Sequence, residues 1–150
     1  MDAATERLMA AAAPVAGRAS PCCGESTRPP TLSDYIDRGL RRRRAAPLPI
    51  VGDGQRDDGG RFARFSVRLT HGVISDVAFE ATTCVTLVAY CELAAQLVTG
   101  LTVPAAARVI RVERLEAELP LVPAGKRERA RLTAQALLAA VVESSRRSSE

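Results

Sequence analysis

The residue with the most chemistry in this 150-residue chain is a cysteine at the junction of two patterns. Val73 to Ala81 reads with period two, as a strand, and Val85 to Thr99 reads as a long apolar helix. Cys84 stands between them, with Thr83 ahead of it as a natural helix cap. The unpaired N–H groups and the positive dipole end of a helix stabilise a thiolate and lower its pKa. A thiolate there can take up sulfur, hold a metal or attack an electrophile. The plainer reading is a buried cysteine that packs as a small hydrophobe.

The other reactive side chains are less well placed. Cys91 follows Cys84 by seven residues, which on an intact helix is about 10 Å. Disulfide geometry needs Cα atoms within about 7 Å, so the two neither bond nor share one zinc ion, and Cys91 reads as core. Cys22 and Cys23 lie in a stretch punctuated by Pro14, Gly17, Pro21, Gly24, Pro29 and Pro30, which reads as a tail. His71, the one histidine, falls at a turn and reads as a solvated loop residue. Asp57 and Asp58, followed by Gly59 and Gly60, form an acidic turn able to offer a hard oxygen ligand. Lys126, Arg127, Glu128, Arg129 and Arg131 open the last helical segment. Cations there oppose the helix dipole, so a sequence that tolerates them uses them for contact.

These residues need elements to position them. Leu32, Tyr35, Ile36 and Leu40 recur at helical spacing over 32–44, with Thr31 or Ser33 as cap. That helix ends in Arg41, Arg42, Arg43 and Arg44, read as a solvated end that favours the dipole or as a docking patch for an acidic partner. Residues 47–60 are a loop, with Leu48 to Val51 as a short edge strand. Ala63, Phe65, Val67 and Leu69 alternate with Arg64, Ser66 and Arg68, a half-buried strand. Thr70, His71 and Gly72 connect it to a second strand whose inward set is Val73, Val77, Phe79 and Ala81, giving an antiparallel hairpin. Gly100 closes the central helix. Two short helices, Pro104 to Val109 and Glu113 to Leu119, precede a last helix from Lys126 to about Ser144. The fold class is therefore α+β, a small antiparallel sheet of two to three strands against several helices. The division is a flexible tail over 1–30, one domain over 31–143 and a disordered tail over 144–150.

Bulk properties narrow the function classes. Hydrophobic residues make up 47% and aromatics 3%, with no Trp, so the core is built from Ala, Val and Leu. The net charge of +4 is mildly basic and does not suggest a dedicated nucleic-acid binder. No run approaches the roughly 18 apolar residues of a membrane span. The N-terminus puts Asp2, Glu6 and Arg7 ahead of any apolar core and does not read as a signal peptide, so the cytoplasm, with reduced thiols, is the default. No Gly-rich phosphate loop, no nucleophile with a base at useful spacing and no Cys-x-x-Cys pair is present, so the chain does not read as an enzyme.

The order of helix, hairpin, junction cysteine and three further helices resembles the U-type iron–sulfur cluster assembly scaffolds, the IscU and NifU N-terminal family. The resemblance runs from about Leu32 to Val142. Its sharpest part is Val73 to Cys84, similar to the family's second strand and second ligand cysteine. Gly100, the Glu118-Leu119-Pro120 stretch, and Tyr35-Ile36-Asp37 with the basic run after it resemble further family landmarks. The family holds its cluster with three cysteines, an aspartate and sometimes a histidine. By that resemblance the first cysteine's turn is Asp57-Asp58-Gly59-Gly60, without a thiol. Glu128 stands at the histidine and Arg129 at the third cysteine. Only Cys84 keeps a ligand position, whereas iron–sulfur clusters are normally held by about four thiolates.

The resemblance implies an iron–sulfur cluster assembly scaffold-like protein of SufE/NifU-like fold that holds an iron–sulfur cluster transiently. Cys84 would be the iron or sulfur anchor or a persulfide acceptor. Asp57 and Asp58 would be further metal ligands, and Lys126, Glu128 and Arg129 would surround the cargo. Cys22 and Cys23 could fold back over the site. The implied partners are a cysteine desulfurase or an iron–sulfur client protein, and a homo-oligomer is open. The alternative is a non-catalytic adaptor on the same fold that docks these partners without holding a cluster. A SufE-like sulfur acceptor ranks below both, because its thiol sits on the earlier loop, where this chain has Asp57 and Asp58.

Overall fold

The structure is a computed structural model that describes residues 28–43, 46–120 and 122–148. Cys22, Cys23 and Arg44 lie outside the described residues. Helix α1 (Leu32–Arg43) opens with a reciprocal cap. The Asp34 N–H donates to Thr31 Oγ1 and the Thr31 N–H donates to Asp34 Oδ2. Four strands follow: β1 (Ile50–Val51), β2 (Gln55–Arg56), β3 (Phe62–Thr70) and β4 (Val73–Ala81). Helix α2 (Val85–Val98) crosses behind them, α3 (Val103–Val109) and α4 (Val112–Glu118) are short, and α5 (Glu128–Ser148) closes the chain after a 3-10 turn at Ala124–Lys126.

The sheet is antiparallel throughout, with β3 at its centre. β4 pairs along one side of β3, and β1 and β2 share the other. The sequence pattern did not signal β2, a two-residue strand with no apolar alternation. The hairpin turns at His71 and Gly72, both at positive φ, the geometry that matches strand twist in a two-residue turn. Arg64–Glu80 and Arg68–Asp76 ion pairs line the solvent face. One correction concerns the inward set of β4. The register shifts between Arg68 and Leu69, so that Arg68 faces Asp76 and Leu69 faces Ile74, leaving Ser75 as an extra residue. That bulge turns Ile74 into the core and leaves Val73 half-buried.

Helices α2 and α5 pack with the sheet around one core of Ala, Val and Leu, in which Phe65, Phe79, Leu87, Tyr90 and Leu137 are fully buried. Two glycines permit close approach. A Cβ on Gly39 would lie 2.6 Å from Val88 Cγ1, where α1 crosses α2. A Cβ on Gly52 would collide with the Ala140 backbone, where the β1–β2 link crosses α5.

The arginine run at the end of α1 is only partly solvated. Arg42 donates from Nε and Nη2 to the carboxylate of buried Glu92, at 2.6 and 3.1 Å, and from Nη1 to the Val77 carbonyl at 2.8 Å. Gln96 donates to the same carboxylate. Arg42 thus ties α1 to α2 and β4, whereas Arg41 is exposed. The last helix also differs from expectation at both ends. Lys126 and Arg127 precede it, Glu128 opens it, and an acid in the first turn suits the dipole. It continues four residues past Ser144, because the Ser144 side chain is buried and Glu143 pairs with Arg146 and Arg147 in the last turns.

Candidate functional site

The site grows from the way β4 hands over to α2. The Thr82 N–H donates to the Phe62 carbonyl and the Thr82 hydroxyl accepts from the Phe62 N–H, which pins the end of β4 to the start of β3. The Cys84 N–H then donates back to the Thr82 carbonyl at 2.8 Å, a tight reversal. Cys84 itself, with extended φ and ψ, is the residue that caps α2, and its carbonyl accepts the first helical bond from Val88. The cap therefore falls one residue later than the Thr83 expected from sequence. Thr83 is exposed, and its hydroxyl accepts from Arg43 Nη2 at 3.2 Å.

This position decides the electrostatics of the thiol. Cys84 is half-buried and not sealed from solvent. Burial pushes its pKa up, but the Leu87 amide, the Arg129 guanidinium and the Thr86 amide outweigh that, and the net direction is down. The thiol makes no close side-chain capping bond of its own, so the effect comes from N–H groups and a positive charge gathered nearby. Cys91, two turns further along, is the opposite case. It is fully buried, its thiol lies 3.8 Å from the Thr133 hydroxyl, and burial pushes it up to about 12. Two cysteines seven residues apart are thus set apart by depth and by the amides and guanidinium around the first.

Arg129 reaches the thiol from the first turn of α5. Its Nη1 donates to the Gly125 carbonyl at 3.2 Å, which folds the side chain back over the helix start, and its Nε is buried without a hydrogen-bond partner. Lys126, in the turn before the helix, and Glu128, its first residue, are exposed. The structure therefore brings Arg129 to Cys84 and leaves Lys126 and Glu128 at the solvent. Arg43 is a cation that sequence reading did not single out. It sat within a run of four arginines, and spacing does not tell which of them turns toward the β4–α2 junction.

The acidic turn lies at the same end of the sheet, since Arg61 leads directly into the Phe62–Thr82 junction. Asp57 is consumed locally. Its Oδ1 accepts from the Gly59 and Arg61 amides at 3.0 Å each, and its Oδ2 from Arg61 Nε at 2.8 Å. Despite some burial, these bonds and the Arg61 charge hold its carboxyl below the usual range. Asp58 is exposed. Among the described residues, no three His, Cys, Asp or Glu side chains converge as a metal-holding group. Chemically the arrangement is one nucleophilic sulfur, at a helix start, beside the Arg129 guanidinium.

Among the described residues, no helix is long and apolar enough to cross a membrane. The profile of one protein family, the NifU-like N terminal domain, matches residues 37–150. No curated protein sequence matches the chain. The fold is similar to the crystal structure of a hypothetical protein, with a TM-score of 0.52 at 18% identity over 73% of this chain and 95% of that one. It is equally similar, at 0.52, to a proposed iron–sulfur cluster assembly scaffold protein for the SUF system from the thermophilic Fervidobacterium islandicum AW-1. Identity there is 12%, over 73% of this chain and 93% of that one. At such identities the likeness is one of fold.

Proposed function

The chain belongs to the NifU-like N-terminal domain family, and on that premise we propose that it serves iron–sulfur cluster assembly as a scaffold-like protein whose working atom is Cys84 Sγ. One observation carries the reading. The only partly accessible thiol among the described residues sits at the start of α2 beside Arg129, with its pKa lowered. A thiolate held that way suits a sulfur anchor. In the simplest step, Cys84 thiolate attacks the terminal sulfur of a donor persulfide, the donor's S–S bond breaks, and the donor leaves as a thiolate. Cys84 is left as a persulfide, whose negative charge the Arg129 guanidinium and the α2 amides then face.

Iron, or a cluster built on that sulfur, is cargo in this reading. Thiolate is the soft ligand such cargo prefers, and the exposed carboxylates Asp58 and Glu128 are harder donors at the rim. Asp57, engaged by Arg61, is the less available of the acidic pair. A cysteine desulfurase is the partner that would supply the persulfide, and an iron–sulfur client would receive the product.

The test is sulfur loading of the purified chain. Incubation with a cysteine desulfurase and cysteine, followed by intact-protein and peptide mass spectrometry, is expected to add sulfur at Cys84. Anaerobic addition of iron and sulfide is expected to give visible absorption. Both signals should vanish in Cys84→Ser. If neither appears in the native chain, the anchor reading fails. Full activity of Cys84→Ser in cells would instead favour an adaptor that docks a desulfurase or client without carrying cargo.

A further inference from the structure

Helix α1 ends beside a cleft that the sulfur chemistry does not use. It opens to about 520 Å³ between the last turns of α1, the edge of β4 and helix α2. Half-buried Leu48, with Val77 and Ala78, forms its apolar floor. Arg38 and Arg41 stand on its α1 side, and both are exposed. They lie three positions apart on the helix, so their side chains are neighbours on one face. Neither forms an ion pair among the described residues.

The acids that line the cleft are already engaged. Buried Glu92 accepts from Arg42 and Gln96. Asp76 Oδ1 accepts the Val77 N–H, and Asp76 Oδ2 lies 3.7 Å from Arg68 Nη1. The positive charges of Arg38 and Arg41 are therefore left over at the opening. The β4 edge is closed in the same way. The Val77 carbonyl accepts from Arg42 and its N–H donates to Asp76, so neither is open to an added strand. Recognition here runs through side chains. Among the described residues no aromatic ring lines the cleft for a base to stack on, and two free cations make no nucleic-acid track. An extended acidic segment fits instead. Alternate residues of an extended chain point the same way about 6.7 Å apart. That is close to the roughly 5–6 Å between neighbouring side chains on a helix face. Two carboxylates of one segment can then each meet a guanidinium, while apolar residues beside them rest on Leu48.

We infer that this cleft docks an extended acidic segment of a partner protein, whose carboxylates pair with Arg38 and Arg41. The arginine run is thereby divided. Arg42 is engaged inside the molecule, and the outward pair is Arg41 with Arg38, which lies ahead of the run. Cys84 does not line the cleft, so docking there needs no cargo on the sulfur.

The probe is a short fluorescein-labelled peptide of alternating Glu and Leu, titrated with the full chain and followed by fluorescence anisotropy. Saturable binding is expected at low ionic strength, weakening as salt screens the exposed charges. The same peptide with Gln in place of Glu should not bind. Arg38→Glu with Arg41→Glu should weaken binding about tenfold, through two lost pairs and new repulsion. Arg38→Gln with Arg41→Gln should weaken it in the same direction. Both variants should keep the native far-UV circular dichroism, since both arginines are exposed. Arg146→Glu with Arg147→Glu makes the same change in net charge in the last turn of α5, outside the cleft, and should leave binding unchanged. Cys84→Ser should bind as the native chain does, so this result and that of sulfur loading are read separately. A native chain that does not bind the acidic peptide overturns the inference. So does an equal loss in the two Glu double variants, which would make the attraction one of bulk charge. Displacement of the peptide by millimolar inorganic phosphate, or tighter binding of a single-stranded oligonucleotide of equal charge, overturns it as well.

Discussion

At the scale of single residues, the chain separates two thiols that share one helix. Cys84 stands where α2 begins and has amides and a guanidinium around it, whereas Cys91 sits seven residues on, sealed in the core. The difference is measurable as alkylation rate against pH, in a Cys22→Ser/Cys23→Ser background that removes the other two thiols. Cys84 should react with a midpoint below that of an ordinary cysteine, because the thiolate is the reactive form and its neighbours favour it. Arg129→Met should move the midpoint up and slow the reaction several-fold at neutral pH. Removing the cation leaves burial, which favours the neutral thiol, less opposed. Cys91, pushed up to about 12, should label only when the chain unfolds. An unchanged Cys84 profile in Arg129→Met would remove the guanidinium from the site.

At the scale of elements, the apolar contact between α1, α2 and β4 is tied across by one ion pair whose acid is buried. Glu92 is 2% exposed and receives two hydrogen bonds from Arg42 and one from Gln96. Breaking such a pair from one side strands a buried charge, which costs far more than removing both partners. Arg42→Ala should therefore lower stability by about 3 kcal/mol, while Arg42→Met with Glu92→Met should cost clearly less. Denaturant midpoints at constant m-value would show the ordering, and equal losses would contradict it. The same element holds Arg43 at Thr83, so loosening α1 should also reach the neighbourhood of Cys84.

At the scale of the whole molecule, one contiguous core runs from Tyr35 in α1 through β3, β4 and α2 to Val141 in α5. No element has a core of its own, so the described body should unfold as a unit. Tyr35 and Tyr90 are the two tyrosines, both buried and far apart in the chain. Tyrosine fluorescence and far-UV circular dichroism are expected to report the same midpoint. Separated midpoints would mean that α1 or α5 detaches before the sheet melts.

The sequence alone determined what depends on local pattern. The β3–β4 hairpin follows from period-two alternation, α2 from an apolar run ended by Gly100, and the α+β class from their order. The family resemblance was legible from Val73 to Cys84 because a strand, a turn and a thiol occupy consecutive residues there. What needed the fold was every relation between residues distant in the chain. That Arg42 answers Glu92, that Arg43 turns to Thr83, and that Arg129 rather than Lys126 reaches the sulfur are not periodic signals. The Ser75 bulge, which brings Ile74 inward, escaped for a related reason, since an extra residue breaks the alternation used to read the strand. Local geometry is fixed by neighbours within a turn or a pleat, and sequence records that directly. The surroundings of a charged or reactive group are set by whichever helices the core draws together, and only packing reveals them.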